Sequence, residues 1–255
     1  MVKFSVCIEM FWKGIPEEEK IKKVKNLGFS AFEFWGWKNK NIEKIKNVKE
    51  ETGLSLSTFC FEPNGSLTTD EVKIEDLIKG AKETAKIAKT LDCKKLILTT
   101  GNIVYGESYE ITRRRIIKRL KEILKIVEEE DLILLLEPLN PIVNHKGYFL
   151  AKTIEAVDIL EEVNSKNLKI LYDIYHQQIT EGNIISTIER FIHYIGHFHC
   201  AGVPGRHELV GGELDYKVIF KVIEKTYYNG FIGLEFSPTK GDDEALKEVL
   251  NLTRF

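Results

Sequence analysis

Eight short apolar runs recur along the chain, near residues 3–8, 31–34, 54–59, 95–99, 132–136, 168–172, 194–199 and 231–235. Between successive runs lies enough chain for a helix, and no other feature restricts the fold as strongly. A run such as Leu132-Ile133-Leu134-Leu135-Leu136 has no polar alternation, so neither of its faces can be left in water. That is the pattern of parallel strands covered by helices. The intervening segments keep helical apolar spacing. Ile74, Leu77, Ile78, Ala81, Ala85 and Ala88 form one stripe, Ile116, Leu120, Ile123, Leu124 and Val127 a second, and Ile154, Val157, Leu160 and Val163 a third. Pro16 followed by Glu17, Glu18 and Glu19 suits a first helical turn, and Gly28 suits the left-handed residue that ends that helix.

Eight βα units in succession predict an α/β fold closed into a single (β/α)8 TIM barrel, in preference to a doubly wound open sheet. A length of 255 residues admits one such barrel or two small domains. Without a linker or a shift of composition, one domain over residues 1–255 is expected. The 43% hydrophobic and 30% charged fractions are ordinary for a soluble protein with a large core. A net charge of −2 argues against a nucleic-acid-binding face, and no apolar stretch is long enough to cross a bilayer. The segment Met1-Val2-Lys3-Phe4-Ser5-Val6-Cys7-Ile8 reads as a strand, not a signal peptide. Cys7, Cys60, Cys93 and Cys200 are scattered without metal-finger spacing, so reduced thiols and a cytoplasmic location are expected.

Four of the runs end in a side chain that can hold a divalent metal: Glu137, Asp173, His199 and Glu235. In a barrel all strand ends meet on one face, which predicts a shared site at the C-terminal ends of the strands. Each residue also has a plainer role open to it. Glu137, followed by Pro138, can pair with a lysine or reach solvent. Asp173 can cap the next turn while His176 packs. His197 shares a strand face with His199 and is expected one layer deeper, as a core histidine. Arg206 can clamp a substrate carboxylate or phosphate, assisted by His207, or form a surface ion pair. Gly211-Gly212 allows either a lid or a turn. Glu9, Glu33 and Glu62 are weaker candidates for binding substrate hydroxyls, and Trp12, Trp35 and Trp37 for a pocket roof. Cys200 is read as a small buried thiol. No Walker loop or dinucleotide glycine fingerprint is present.

The motifs Glu137-Pro138-Leu139-Asn140, Tyr172-Asp173-Ile174-Tyr175-His176, His199-Cys200-Ala201-Gly202-Val203-Pro204-Gly205-Arg206-His207-Glu208 and Glu235-Phe236-Ser237-Pro238 carry a resemblance. The chain resembles the xylose-isomerase-like TIM-barrel superfamily, and within it the hydroxypyruvate isomerase and 2-oxo-tetronate isomerase branch. The resemblance implies one divalent cation, Mn²⁺ or Mg²⁺, held by Glu137, Asp173, His199 and Glu235. It implies Glu137 and Glu235 as catalytic acid and base, and substrate contacts for His176 and Arg206. The implied activity is isomerisation of a small hydroxy-keto acid, hydroxypyruvate to tartronate semialdehyde or a 2-oxo-tetronate, through an enediolate. The alternative is a ketose 3-epimerase acting on a free sugar. Related epimerases carry a further glutamate where this chain has Val143, and the loop Asn144-His145-Lys146-Gly147 lacks a proline that relatives often have. An abasic-site nuclease would need extra histidine and acidic ligands. The expected partner is thus a small hydroxy-keto acid or sugar, with no nucleic acid or membrane; the oligomeric state is left open.

Overall fold

The structure, a computed structural model, describes residues 2–252; Met1, placed above in the first strand, and residues 253–255 lie outside it. Among the described residues nine parallel strands form one sheet: β1 (Lys3–Cys7), β2 (Ala31–Glu33), β3 (Ser55–Leu56), β4 (Phe59–Cys60), β5 (Lys95–Leu98), β6 (Ile133–Leu136), β7 (Leu168–Asp173), β8 (Ile195–Cys200) and β9 (Phe231–Leu234). Their order is β3-β2-β1-β9-β8-β7-β6-β5-β4. Its two ends, β3 and β4, are separated in the chain only by Ser57 and Thr58, so the sheet curls round on itself as a barrel.

The expected third strand, residues 54–59, is therefore two short pieces, one pairing with β2 and the other with β5. Ser57 and Thr58 span the seam: the Ser57 amide bonds Phe32 O at 3.0 Å, and the Thr58 hydroxyl donates to Lys95 O at 3.0 Å. Changing partner in mid-strand interrupts the ladder.

The helices are α1 (Glu17–Asn26), α2 (Ile42–Thr52), α3 (Ile74–Thr90), α4 (Tyr109–Glu129), α5 (Thr153–Val163), α6 (Ile174–Thr180), α7 (Ile184–Phe191), α8 (Tyr216–Lys225) and α9 (Asp242–Leu252). As read from sequence, α1 starts directly after Pro16 with three glutamates in its first turn, and Gly28 just beyond it has φ +93°. One stripe is corrected. Ile154, in the first turn of α5, faces out at 41% exposure, and the buried face runs through Ala156, Val157, Ile159, Leu160 and Val163. Among the described residues no helix is long and apolar enough to cross a membrane.

The main core lies between sheet and helices, while a small separate cluster of Cys60, Ile97, Leu135 and Leu171 fills the barrel itself. Because side chains alternate along a strand, Leu135 and Leu171 stand one layer below Glu137 and Asp173. Between β7 and β8 the register slips, Ile170 pairing with Ile195 but Leu171 with His197. Gly196 is the extra residue of this bulge, and it sets His197 and His199 on the inner face. Its carbonyl accepts from Lys95 Nζ at 2.7 Å. A Cβ on Gly196 would lie 2.7 Å from both Leu135 Cδ2 and Lys169 Cβ. Gly196→Ala should accordingly destabilise the chain by about 1–3 kcal/mol through overpacking. A thermal unfolding midpoint equal to that of the unmodified chain would show that the bulge has slack.

Candidate active site

Parity along four adjacent strands brings the predicted groups to one place. Glu137 immediately follows β6, Asp173 ends β7, His199 is the penultimate residue of β8, and Glu235 immediately follows β9. The amides of Glu137 and Glu235 still bond neighbouring strands, to Leu98 O at 3.1 Å and Cys200 O at 3.2 Å. Both carboxylates are thus carried inward on ladder geometry, not on free loops. One donor atom from each of the four lies within 4.8 Å of the other three, and all four residues are buried.

Asp173 caps a helix with one carboxylate oxygen and turns the other towards the cluster. Its Oδ1 caps α6, accepting from the amides of Tyr175 at 2.8 Å and His176 at 3.2 Å. Oδ2 faces the site, 3.5 Å from Arg206 and 3.6 Å from His176 Nε2. The Asn140 amide can only donate, and it reaches His176 Nδ1 at 3.3 Å, with Asn140 Nδ2 at 2.6 Å from the same atom. Nδ1 is therefore the acceptor, so the proton of the neutral ring sits on Nε2. Burial pushes the pKa of His176 down to about 4, against the pull of Asp173.

Glu235 is held from both sides: Trp35 Nε1 donates to Oε1 at 2.7 Å, and Arg206 forms an ion pair with Oε2. Burial opposes its ionisation, but Arg206 and His199 outweigh burial and hold its pKa well below the usual carboxylate range. Glu137 goes the other way. Burial, together with Glu235 and Asp173, raises it to about 8 although His199 opposes the shift. Burial disfavours a charged His199 ring, but Glu235 and Glu33 more than compensate and keep it protonated well above its ordinary value.

The donor set fits a divalent cation. Three carboxylates and one imidazole suit a hard or borderline ion. His199 Nδ1 lies 3.1 Å from Glu235 Oε2 and 3.8 Å from Glu137 Oε1, yet it makes no hydrogen bond to either. A buried nitrogen crowded by carboxylates but aligned with none is what ligands around a shared ion look like.

Above the cluster is a cavity of about 350 Å³. It is lined by Glu137, His199, Glu235, His176 and Arg206, and by Trp35, Cys60, Glu62, Asn64, Thr99, Leu139 and His145. A larger groove, of about 720 Å³, beside Trp12 and Lys240 contains none of the strand-end groups. Two of its three lysines are paired with acids, Lys23 with Asp243 and Lys240 with Glu248.

Several weaker expectations are corrected. His207 is exposed, sits 2.8 Å from Ser237 O and does not line the cavity, so Arg206 has no help from it. Glu9 pairs with Lys40 at 2.6 Å, Trp12 donates to Asp243, and Trp37 to Thr84. Glu33 lies beneath the site instead of in its wall. Of the three tryptophans only Trp35 reaches the cavity, and of the three weaker glutamates only Glu62. His145, Asn64 and Thr99 were not singled out from sequence. Thr99 directly follows β5 with the inward parity of Ile97 and is open to the same argument, whereas His145 is delivered by loop geometry that no periodicity encodes.

The family model described as xylose isomerase-like TIM barrel matches residues 21–254. A hydroxypyruvate isomerase of Escherichia coli is 30% identical, the match covering 97% of this chain and 98% of that protein. A 2-oxo-tetronate isomerase of Cupriavidus necator is 40% identical, with 96% of each chain covered. Among solved structures, an AP endonuclease of family 2 from Brucella melitensis superposes with a TM-score of 0.93 at 25% identity, covering 98% of this chain and 99% of that one. A 3-keto-D-glucoside 4-epimerase of E. coli gives 0.84 at 22% identity, with 98% of each chain covered, a likeness of fold.

A cation entering this cluster must displace the protons on Glu137 and His199. Both groups hold protons above their ordinary values, so affinity for Mn²⁺ should rise with pH, through about 8 for Glu137, by about tenfold per pH unit for each proton displaced. Titration calorimetry from pH 6 to 9 measures this, and a flat profile would contradict it.

Proposed function

The chain belongs to the xylose isomerase-like TIM barrel family, and we propose that it is an isomerase of a small hydroxy-keto acid that works with one divalent cation. The observation that carries this reading is the convergence of Glu137, Asp173, His199 and Glu235 on one buried point beneath a cavity sized for a small molecule. The names of its isomerase relatives support it. Those four residues would hold the cation, Mn²⁺ or Mg²⁺. When bound, it supplies Lewis-acid polarisation of the substrate carbonyl and orients the adjacent hydroxyl.

The chain's own groups do the rest. Glu137 and Glu235 enter from β6 and β9, with β7 and β8 between them. One glutamate removes the proton from the hydroxyl-bearing carbon, and the electron pair left behind forms the enediolate. The same glutamate or the opposite one delivers a proton to the neighbouring carbon, and the original hydroxyl proton passes to the former carbonyl oxygen, so carbonyl and hydroxyl exchange places with no net redox change. Trp35 and Arg206 hold Glu235 in position, and His176 presents its Nε2 proton to the cavity. Arg206 Nε is buried with no hydrogen-bond partner among the described residues, which leaves a donor for a substrate carboxylate. A carboxylate makes a stronger, charge-assisted use of that donor than a sugar hydroxyl does. Val143, where an epimerase would carry a glutamate, is 58% exposed and outside the cavity wall. Hydroxypyruvate or a 2-oxo-tetronate is the substrate class that matches. The four buried, unpaired cysteines suit a reducing cytoplasm.

Glu137→Gln and Glu235→Gln should each lower kcat by at least about 10²–10⁴-fold, the usual worth of general acid–base help, with circular dichroism unchanged. Chelation should silence the unmodified enzyme, and Mn²⁺ or Mg²⁺ should restore it. Turnover of hydroxypyruvate or 2-oxo-tetronate that survives both substitutions, or ignores chelator, defeats the proposal. Epimerisation of a free ketohexose outpacing either acid favours the epimerase reading.

A further inference from the structure

Under the strand-end groups lies a second buried cluster that the proposed reaction does not use. Glu33, the last residue of β2, is 1% exposed. Its Oε2 accepts from Ser57 Oγ at 2.8 Å and lies 3.1 Å from His197 Nε2. Ser57 is itself 2.6 Å from Ser5 Oγ. The other carboxylate oxygen, Oε1, is 2.9 Å from His199 Nε2, an ion-pair contact not aligned as a hydrogen bond. Space for this contact comes from Gly233 on β9. A Cβ there would sit 2.3 Å from Glu33 Oε1 and 2.5 Å from His199 Cδ2.

We propose that Glu33 is a positioning residue for the cation site: it engages Nε2 of His199 and so leaves Nδ1 as the nitrogen presented to Glu137, Asp173 and Glu235. This rests on reading those four residues as cation ligands. A neutral imidazole has one lone pair to give. If Nδ1 donates it, Nε2 carries the proton, and a buried N–H requires an acceptor. Among the described residues no other acid pairs with Nε2. Glu33 cannot serve substrate instead, because Oε2 is already taken by Ser57 and His197, and the cavity wall does not include it. The carboxylate also makes the ring a stronger donor, an effect of partners behind a metal-binding histidine that is typically worth about 10–100-fold in affinity.

The test is calorimetric titration of the cation-free full chain with Mn²⁺. The unmodified chain should bind one ion, and Glu33→Gln should weaken that binding by about 10–100-fold. Ser57→Ala, which leaves Glu33 and both histidines in place and removes one hydrogen bond from Glu33 together with the contact to Ser5, should weaken it less but in the same direction. It keeps the question answerable if Glu33→Gln fails to fold. A role limited to packing would lower the unfolding midpoint and leave affinity alone, and unchanged affinity in the folded variants overturns the proposal. Two ions per unmodified chain would overturn it too, by making Glu33, His197 and His199 a second site. No Mn²⁺ binding by the unmodified chain would instead overturn the reading of the four ligands on which this one stands.

Discussion

Three carboxylates and an imidazole within 4.8 Å of one another, nearly out of water, cannot all take their ordinary charge states without a counter-charge. Burying one unpaired ion already costs several kcal/mol, and two carboxylates this close raise the cost again. The chain answers in two ways. Arg206 and a protonated His199 offset Glu235 and Asp173, while Glu137 keeps its proton to about pH 8. A dication would replace both devices at once, and for that reason the cluster is read as a metal centre and not as an ion-pair network assembled for stability.

Everything around the cluster maintains that crowding. The bulge at Gly196 turns His197 and His199 inward, Gly233 leaves room for Glu33 against His199, and Trp35 and Arg206 fix Glu235. The loop that carries Arg206 is strapped to the one after β9. The Ser237 amide donates to Arg206 O at 2.8 Å, and Glu208 accepts from the Thr239 and Lys240 amides at 2.7 and 3.1 Å. Arg206 and Glu235 are thereby held in one frame. Gly211, with φ +86°, lies beyond those straps, so any lid-like movement of this segment has to be sought there and not at the arginine.

The fold and the central four residues were legible because both depend on short-range periodicity. Fully apolar runs announce strands buried on both faces, and a polar residue directly after the run marks a strand end. What escaped the sequence depends on pairing across the barrel. The third strand divides because its two halves have different neighbours, which nothing within residues 54–59 records. Ile154 matched a helical stripe yet faces solvent, since spacing alone does not show which side of a short helix meets the sheet. His207 differs from Arg206 by one position in a tight turn, and that suffices to send one side chain out and the other in. Glu33 ends a strand and on that ground alone is a weaker candidate for binding substrate hydroxyls. Its strand is three residues long, and its register against Cys7 places it below the rim.

The account stands or falls on whether those four strand-end groups share one ion. Crystals grown with Mn²⁺ and measured at the manganese absorption edge would locate it directly. The account predicts a single anomalous peak bounded by Glu137, Asp173, His199 and Glu235. A peak elsewhere, or none at that point from protein saturated with Mn²⁺, would contradict it.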